Sequence, residues 1–279
     1  MKAYIISYFG SKSEPTKRLS RLQNHNKQIE WWLNHDQDLD IIILSMEYDS
    51  TDYYIHPRVS YIDSPRLNPA SARNTLLKIF YDSDDIWALF MDNDSILKQH
   101  ALWPHTHINF NKMLNQNPSS FKDITIIMPH SDIIPGDGAF TKKYNGTDSN
   151  YSNIDWNKQL CFDRMFLTLK GSLFYLQNKK QNIFMEDLFF PAEDHEFALH
   201  HYVKGYQTYR LRNIMLYEYA SPSTWAKTKT DRVPLIQSSF NNMSSKYSLP
   251  ERRKWLRHIT KNLNIDHPKR LLLPYNTQI

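Results

Sequence analysis

Two carboxylates one residue apart follow a short, unbroken apolar run. Residues Ile86 to Met91 are all apolar and lead directly into Asp92, Asn93 and Asp94. A run of this length predicts a strand that is buried on both faces of a parallel sheet. Ligands of open α/β sheets bind beyond the carboxyl ends of the strands, so the two carboxylates could share one hard divalent cation, Mg²⁺ or Mn²⁺. The alternative is an acidic turn that only ends the strand.

The elements before this acidic pair alternate between strands and helices. We predict strands at 2–9, 40–47 and 58–63 and helices at 16–34 and 70–82. Such alternation implies right-handed crossovers and a parallel, doubly wound sheet. The buried face of the first helix is expected to contain Leu19, Leu22, Gln23, Asn26, Ile29, Trp32 and Leu33.

The chain after the acidic pair has a less regular pattern. We predict a helix at 96–114 with a break at Pro104, a strand at 123–129, and a long polar loop at 135–153. Residues 165–176 are predicted to be a strand that leads into a helix or a second strand. A helix at 189–205, short strands at 207–211 and 214–219, and a last helix at 250–262 follow. The helix at 189–205 is the clearest of these, because acidic residues fill its first turn and Gly205 suits its end.

Composition limits the classes of protein that remain. The chain has 279 residues, is 41% hydrophobic and 14% aromatic, and can therefore build a real core. It contains one cysteine, Cys161, and no apolar run of the roughly 18 residues that a membrane span needs. Met1-Lys2 leads straight into a strand-like run, so we read no signal peptide and expect a cytoplasmic protein.

The net charge of +5 is concentrated in residues 251–279, which hold seven basic and two acidic residues. In the sequence of the last predicted helix, Trp255 stands among basic residues, which are Arg252, Arg253, Lys254, Arg257 and Lys261. Basic residues interleaved with an aromatic one suit a nucleic-acid backbone, and a solvated helix with one buried tryptophan is the alternative. We therefore divide the chain into a domain at 1–220 and a basic C-terminal extension at 221–279.

Four separated segments together resemble the large inverting family of nucleotide-sugar glycosyltransferases with the GT-A fold. They are Glu47-Tyr-Asp-Ser-Thr-Asp52, Asn68-Pro-Ala-Ser-Ala-Arg-Asn74, Asp92-Asn-Asp94 and Ala192-Glu-Asp-His195. The first departs from the family's acidic turn, since Glu47, Tyr48 and Asp49 replace its Asp, Asp and Gly. The resemblance implies an α/β fold of GT-A type, with a mostly parallel central sheet and a helical C-terminal extension.

The resemblance also implies roles for individual residues. Asp92 and Asp94 would hold the divalent metal, and Asp194 would be the general base that takes a proton from the acceptor hydroxyl. The family often supplies a third metal ligand from a late histidine; no histidine occurs at 216–225, and Glu218 is the substitute. The nucleotide-sugar donor would be bound by Tyr8, Glu47, Arg66, Arg73, Asn74 and Asn93. The two arginines could donate hydrogen bonds to its phosphates.

Some of these roles compete with structural ones. Tyr8 could equally pack in the core, the two arginines could cap helices or form surface ion pairs, and Glu193 is the neighbour most easily confused with Asp194 as base. Glu193 and Asp194 could also simply stabilise the dipole of the helix that they begin.

Similarity of size and opening sequence extends to the T-even phage enzymes that add a second glucose to glucosylated hydroxymethylcytosine in DNA. It implies transfer of glucose from UDP-glucose, with inversion, to modified double-stranded phage DNA in an infected bacterial host. One alternative is a glycosyltransferase that acts on surface polysaccharide or lipopolysaccharide. Another is a haloacid-dehalogenase-type phosphatase, which also places Asp-x-Asp after a buried strand but normally near its N-terminus.

Overall fold

The computed structural model describes residues 1–99, 111, 114, 124–130, 162–164, 173–180, 182–185 and 192–219. Their strands are β1 (Lys2–Ser7), β2 (Asp40–Met46), β3 (Val59–Ser64), β4 (Trp87–Asp92), β5 (Ser95–Gln99), β6 (Ile124–His130), β7 (Phe162–Arg164), β8 (Leu173–Gln177) and β9 (Gln207–Glu218). The helices that lie within the described ranges are α1 (Pro15–His35), α2 (Pro69–Asp82) and α3 (Ala192–Val203).

The described strands form one mixed sheet in the order β3-β2-β1-β4-β8-β6-β9-β5, and β7 pairs with β9. Strands β3, β2, β1 and β4 are parallel neighbours, as the alternating pattern predicts. Strand β8 is antiparallel to both β4 and β6, and β6 is parallel to β9. Six strands therefore share one direction, while β5, β7 and β8 run the opposite way.

Apolar side chains fill both faces of this sheet, which explains the unbroken apolar runs in its strands. Tyr4 and Phe90 pack in the cluster that also contains the apolar residues of α2 and α3. Ile5 and Leu89 point to the other face and pack with residues of α1. The buried strand predicted from 86 to 91 is confirmed as β4, although Ile86 itself lies outside the strand and is exposed.

Two predictions for the chain after Asp94 are wrong. Residues 96–99 belong to β5 rather than to a helix, because they pair antiparallel with β9 and because Ile96 and Leu97 are both buried. The two short strands predicted at 207–219 are one continuous strand, β9. The loop predicted at 135–153 and the extension at 221–279 lie outside the described residues.

The predicted buried face of α1 is only half correct. Ile29, Trp32 and Leu33 are buried, but Leu19 is 54% exposed and Gln23 is also exposed. The first two-thirds of α1 bury polar residues instead, namely Arg18, Arg21, His25 and Gln28. This part of the helix hydrogen-bonds to the loops beyond the carboxyl ends of the strands, and buried backbone carbonyls there require donors.

Candidate functional site

The Asp92–Asp94 turn joins β4 to β5, and side chains of α1 hydrogen-bond to its backbone. The side-chain amide of Gln28 donates to the carbonyl oxygen of Asp92 at 2.6 Å and to that of Ser95 at 2.9 Å. The indole Nε1 of Trp32 donates to the same Ser95 oxygen at 3.1 Å. The helix thus fixes the backbone of the turn and leaves its carboxylates available for other partners.

Arg73 of α2 connects this turn to the start of α3. Its Nη2 donates to Asp92 Oδ1 at 2.8 Å, and its Nη1 donates to Glu193 Oε1 at 3.0 Å. The Arg73 side chain is buried, the Glu193 side chain is completely buried, and that of Asp92 is one-third exposed. Two acidic motifs that lie a hundred residues apart in sequence therefore meet on one guanidinium group.

The acidic pair at the start of α3 is buried and electrostatically strained. Glu193 has no exposed surface, and Asp194 is 7% exposed. Burial and the neighbouring charge of Asp194 raise the pKa of Glu193 to about 7, although Arg73 acts in the opposite direction. Burial by itself lowers the pKa of Arg73, but the charges of Asp92, Glu193 and Asp194 raise it overall, so the guanidinium stays charged.

Excess negative charge collects around the turn. Burial, followed by the charges of Asp92 and Glu218, raises the pKa of Asp94 to about 8. The pKa of Asp92 is also raised by burial and by Glu218, against the lowering effect of Arg73. A divalent cation would relieve this repulsion, and carboxylate oxygens are the ligands that Mg²⁺ and Mn²⁺ prefer.

These carboxylates fit a metal that the protein and a diphosphate hold jointly. Among the described residues, no three His, Cys, Asp or Glu side chains are grouped closely enough to form a complete metal-ligand set. Asp92 and Asp94 would supply the protein's share of the ligands, and phosphate oxygens and water would complete the coordination. Glu218 lies at the end of β9, is exposed, and contributes charge; its role as third ligand stays a prediction.

The acidic turn after β2 is organised by Arg18. Its guanidinium donates to the carboxylates of Asp49, at 3.2 Å, and of Asp52, and to the carbonyl oxygen of Glu47 at 3.3 Å. Glu47 is exposed and has a φ of 55°, so its backbone lies in the left-handed region. The turn is thus a fixed structure at the same edge of the sheet as Asp92.

Ser7, at the end of β1, links the two acidic turns. Its Oγ accepts hydrogen bonds from Tyr48 Oη at 2.5 Å and from Asn93 Nδ2 at 3.2 Å. Next to it, the guanidinium carbon of Arg66 lies 4.7 Å from the ring centroid of Tyr8, which is buried. Contacts of Tyr8, Arg66 and Asn93 with a donor nucleotide stay predictions.

Asn74 has a structural role in the described part of the chain. Its side-chain amide donates to the carbonyl oxygen of Met185, and its oxygen accepts from the Met185 N–H, both at 2.8 Å. Both groups of the side chain are therefore used to anchor residues 183–185 to α2. Binding of the donor by Asn74, like phosphate binding by Arg73, stays a prediction that these contacts do not favour.

Sequence reasoning missed the buried polar face of α1. Gly10 lies directly beside it: its φ is 96°, and a Cβ there would lie 2.6 Å from Arg21 Nη1. That same nitrogen donates to the carbonyl oxygen of Phe9 at 3.0 Å, and Arg18 donates to that of Gly10 at 3.2 Å. Burial lowers the pKa of His25 to about 4, so this residue is neutral. The spacing of three, four and three residues from Arg18 to Gln28 was the available signal.

No protein-family model and no curated protein matches the sequence. Among solved structures, a mannosyltransferase from Pyrobaculum calidifontis, in complex with GDP-Man and Mn²⁺, aligns over 95% of this chain and 70% of its own, with 12% identity and a TM-score of 0.57. Glucosyl-3-phosphoglycerate synthase from Mycobacterium tuberculosis aligns over 96% and 81%, with 8% identity and a TM-score of 0.46. The first likeness confirms the predicted GT-A type of α/β fold.

Proposed function

We propose that this protein is a glycosyltransferase that moves a sugar from a nucleoside diphosphate to an acceptor hydroxyl with the help of a divalent cation. The observation that carries the proposal is the Arg73 guanidinium, which joins the donor-side carboxylate of Asp92 to the acidic start of α3. The arrangement supplies what sugar transfer needs, a site for the charged leaving group next to a carboxylate base. The mannosyltransferase of similar fold, with its GDP-Man and Mn²⁺, supports the same class over a phosphatase.

Each side of the site has its own chemical task. Asp92 and Asp94, on the β4–β5 turn that Gln28 holds in position, would bind the divalent cation. When bound, Mn²⁺ or Mg²⁺ would supply the positive charge that a departing diphosphate needs. Asp194 takes the proton of the attacking hydroxyl, so that the hydroxyl oxygen attacks as the leaving group departs, and the product has inverted configuration.

For the donor we propose UDP-glucose, and for the acceptor the hydroxymethylcytosine or glucosyl-hydroxymethylcytosine of phage DNA. The support for DNA is the charge of residues 251–279, which include seven basic and two acidic residues. The alternative acceptor, a surface polysaccharide or lipopolysaccharide, would use the same catalytic residues. In the described part of the chain, no helix is both long and apolar enough to cross a bilayer.

A direct assay separates these possibilities. The protein is incubated with Mn²⁺, with each of a panel of labelled nucleotide sugars, and with plain, hydroxymethylated or glucosylated duplex DNA or lipopolysaccharide. Label from UDP-glucose should enter modified DNA and should be absent with Asp92→Asn or with EDTA. Label in lipopolysaccharide alone would replace the DNA proposal, and release of inorganic phosphate from phosphate esters without sugar transfer would refute the glycosyltransferase.

A further inference from the structure

Glu193 is a buried carboxylate that the proposed chemistry does not use. Its Oε1 accepts the hydrogen bond from Arg73 at 3.0 Å, and its Oε2 is buried with no hydrogen-bond partner within the described residues. A buried carboxylate with one unsatisfied oxygen is costly to maintain. A cost of this kind beside a site indicates that the negative charge itself has a use.

The use follows from the two partners of Arg73. The guanidinium gives one nitrogen to Asp92, at 2.8 Å, and the other to Glu193. Without a charge on Glu193, Asp92 would be the only charged carboxylate that accepts a hydrogen bond from the buried guanidinium of Arg73. Asp92 would then be neutralised by an internal cation and would attract a divalent cation weakly. A second carboxylate on the same guanidinium removes this competition.

We propose that Glu193 is a positioning residue whose charge balances that of Arg73, so that Asp92 remains an effective ligand for a divalent cation. The planar fork of the guanidinium also fixes Asp92 relative to the start of α3, since its two nitrogens address both carboxylates at once. This inference rests on the proposed function, because it concerns the same cation. Glu193 acts through Arg73, whereas Asp194 is the proposed base.

The test measures Mn²⁺ binding without turnover, by the electron paramagnetic resonance signal of free Mn²⁺ in titrations of the full chain with UDP present, because the diphosphate supplies part of the ligand set. A titration of UDP without protein gives the background. Glu193→Gln keeps the size of the side chain and an oxygen acceptor for Arg73 but removes the charge. Its Kd for Mn²⁺ should rise about tenfold, since changes behind a metal ligand usually weaken affinity by about 10- to 100-fold. Adding Arg73→Gln removes the unbalanced positive charge and should bring Kd back to within about threefold of wild type, a coupling that a double-mutant cycle isolates.

Two further variants make the result specific. Glu196→Gln is the matched control, because Glu196 lies on the same helix, is equally buried, and has His200 at 3.9 Å as its ion-pair neighbour. Its Kd should stay within about twofold of wild type, as for a site without direct coupling. Glu193→Asp keeps the charge; its Kd should stay within about threefold even if Glu193→Gln proves too unstable to titrate.

The outcomes separate this inference from the proposed function. If wild type binds Mn²⁺, Asp92→Asn loses it, and Glu193→Gln titrates like the Glu196→Gln control, the charge-balance inference is overturned alone. A double variant that is no better than Glu193→Gln, or a tenfold loss in Glu193→Asp, overturns it as well. A wild-type chain that does not bind Mn²⁺ even with UDP present refutes both the inference and the metal-dependent function.

Discussion

Replacing Gln28 by Leu tests whether α1 fixes the acidic turn. The substitution nearly preserves volume and helix propensity but removes the amide that donates to the carbonyl oxygens of Asp92 and Ser95. Ser95 keeps a second donor, the indole of Trp32. Of the two carbonyl oxygens, only that of Asp92 therefore lacks a second donor among these side chains. The 3.4 Å contact between Gln28 Oε1 and His25 Nδ1 is lost as well. We expect the free energy of unfolding to fall by about 1–3 kcal/mol, the cost of leaving such a polar group unsatisfied.

The shared oxygen of Ser95 predicts non-additivity. Trp32→Phe alone leaves Ser95 paired with Gln28, whereas the double variant removes both donors. In urea unfolding, the double variant should lose more than the sum of the single losses by about 1 kcal/mol. The two single variants and the double variant form a double-mutant cycle. The cost of each change in side-chain volume appears with and without the other substitution, so it cancels from the coupling energy.

Gln23→Leu on the exposed side of α1 is the matched control for Gln28→Leu, and it should change stability by less than about 0.5 kcal/mol. The Kd for Mn²⁺ should rise in Gln28→Leu and stay constant in the control, since only the former releases the turn. Strictly additive losses, or equal losses at positions 23 and 28, would refute the view that this amide holds the turn.

Four other results are expected. Asp94→Asn should abolish Mn²⁺-dependent transfer, measured with labelled donor; full activity in EDTA would exclude the metal site. Asp194→Asn should leave the Kd of the donor nearly unchanged and lower kcat by at least about 100-fold, and a normal kcat would exclude Asp194 as base. The pKa of Glu193 is raised from 4.5 to about 7, first by burial and then by Asp194. The folded state therefore binds this proton more tightly than the unfolded state, and the resulting stability is complete below about pH 4.5 and is lost as the pH rises through about 7. The difference in unfolding free energy between wild type and Glu193→Gln should fall across that window, and a flat difference would contradict the shifted pKa. Neutralising Arg252, Arg253, Lys254 and Arg257 should weaken DNA binding and flatten its salt dependence; an unchanged slope would exclude that segment as the contact.

The parallel half of the fold was predictable because its signals are local. The apolar runs at 40–47 and 86–91 are too short and too apolar to be helices, and the intervening helix has a clear N-cap at Asn68, whose side chain accepts from the Ser71 N–H. Strand β5 could not be predicted in this way, since its pairing partner, β9, lies more than a hundred residues later. The β9 segment was itself predicted as strand, at 207–211 and 214–219, but nothing in residues 95–99 indicates that they pair with it.

The residues of the candidate site also differ in whether local sequence reveals them. The acidic motifs are visible in sequence because their chemistry restricts residue type and spacing. The residues that hold these motifs in place are not visible in sequence, because tertiary contacts, and not residue type, decide whether an arginine or a glutamine is buried. Arg18 and Gln28 lie on a face that apolar periodicity assigns to solvent. The contacts of Arg73 with Asp92 and Glu193 were not predicted, and its contact with donor phosphates stays a prediction.

The buried polar face of α1 explains why the carboxylates of the β4–β5 turn can stay available. Arg21 and Gln28 donate to backbone carbonyl oxygens of Phe9, Asp92 and Ser95, and these bonds fix the loops without using an acidic side chain. A site whose loops are held through the backbone is ordered before a ligand arrives, so binding energy is not spent on ordering them. The exception is the turn at 47–52, where Arg18 pairs with Asp49 and Asp52 themselves. The carboxylates of Asp49 and Asp52 therefore hold the turn together, and any contact with a nucleotide has to come from groups that do not bond to Arg18.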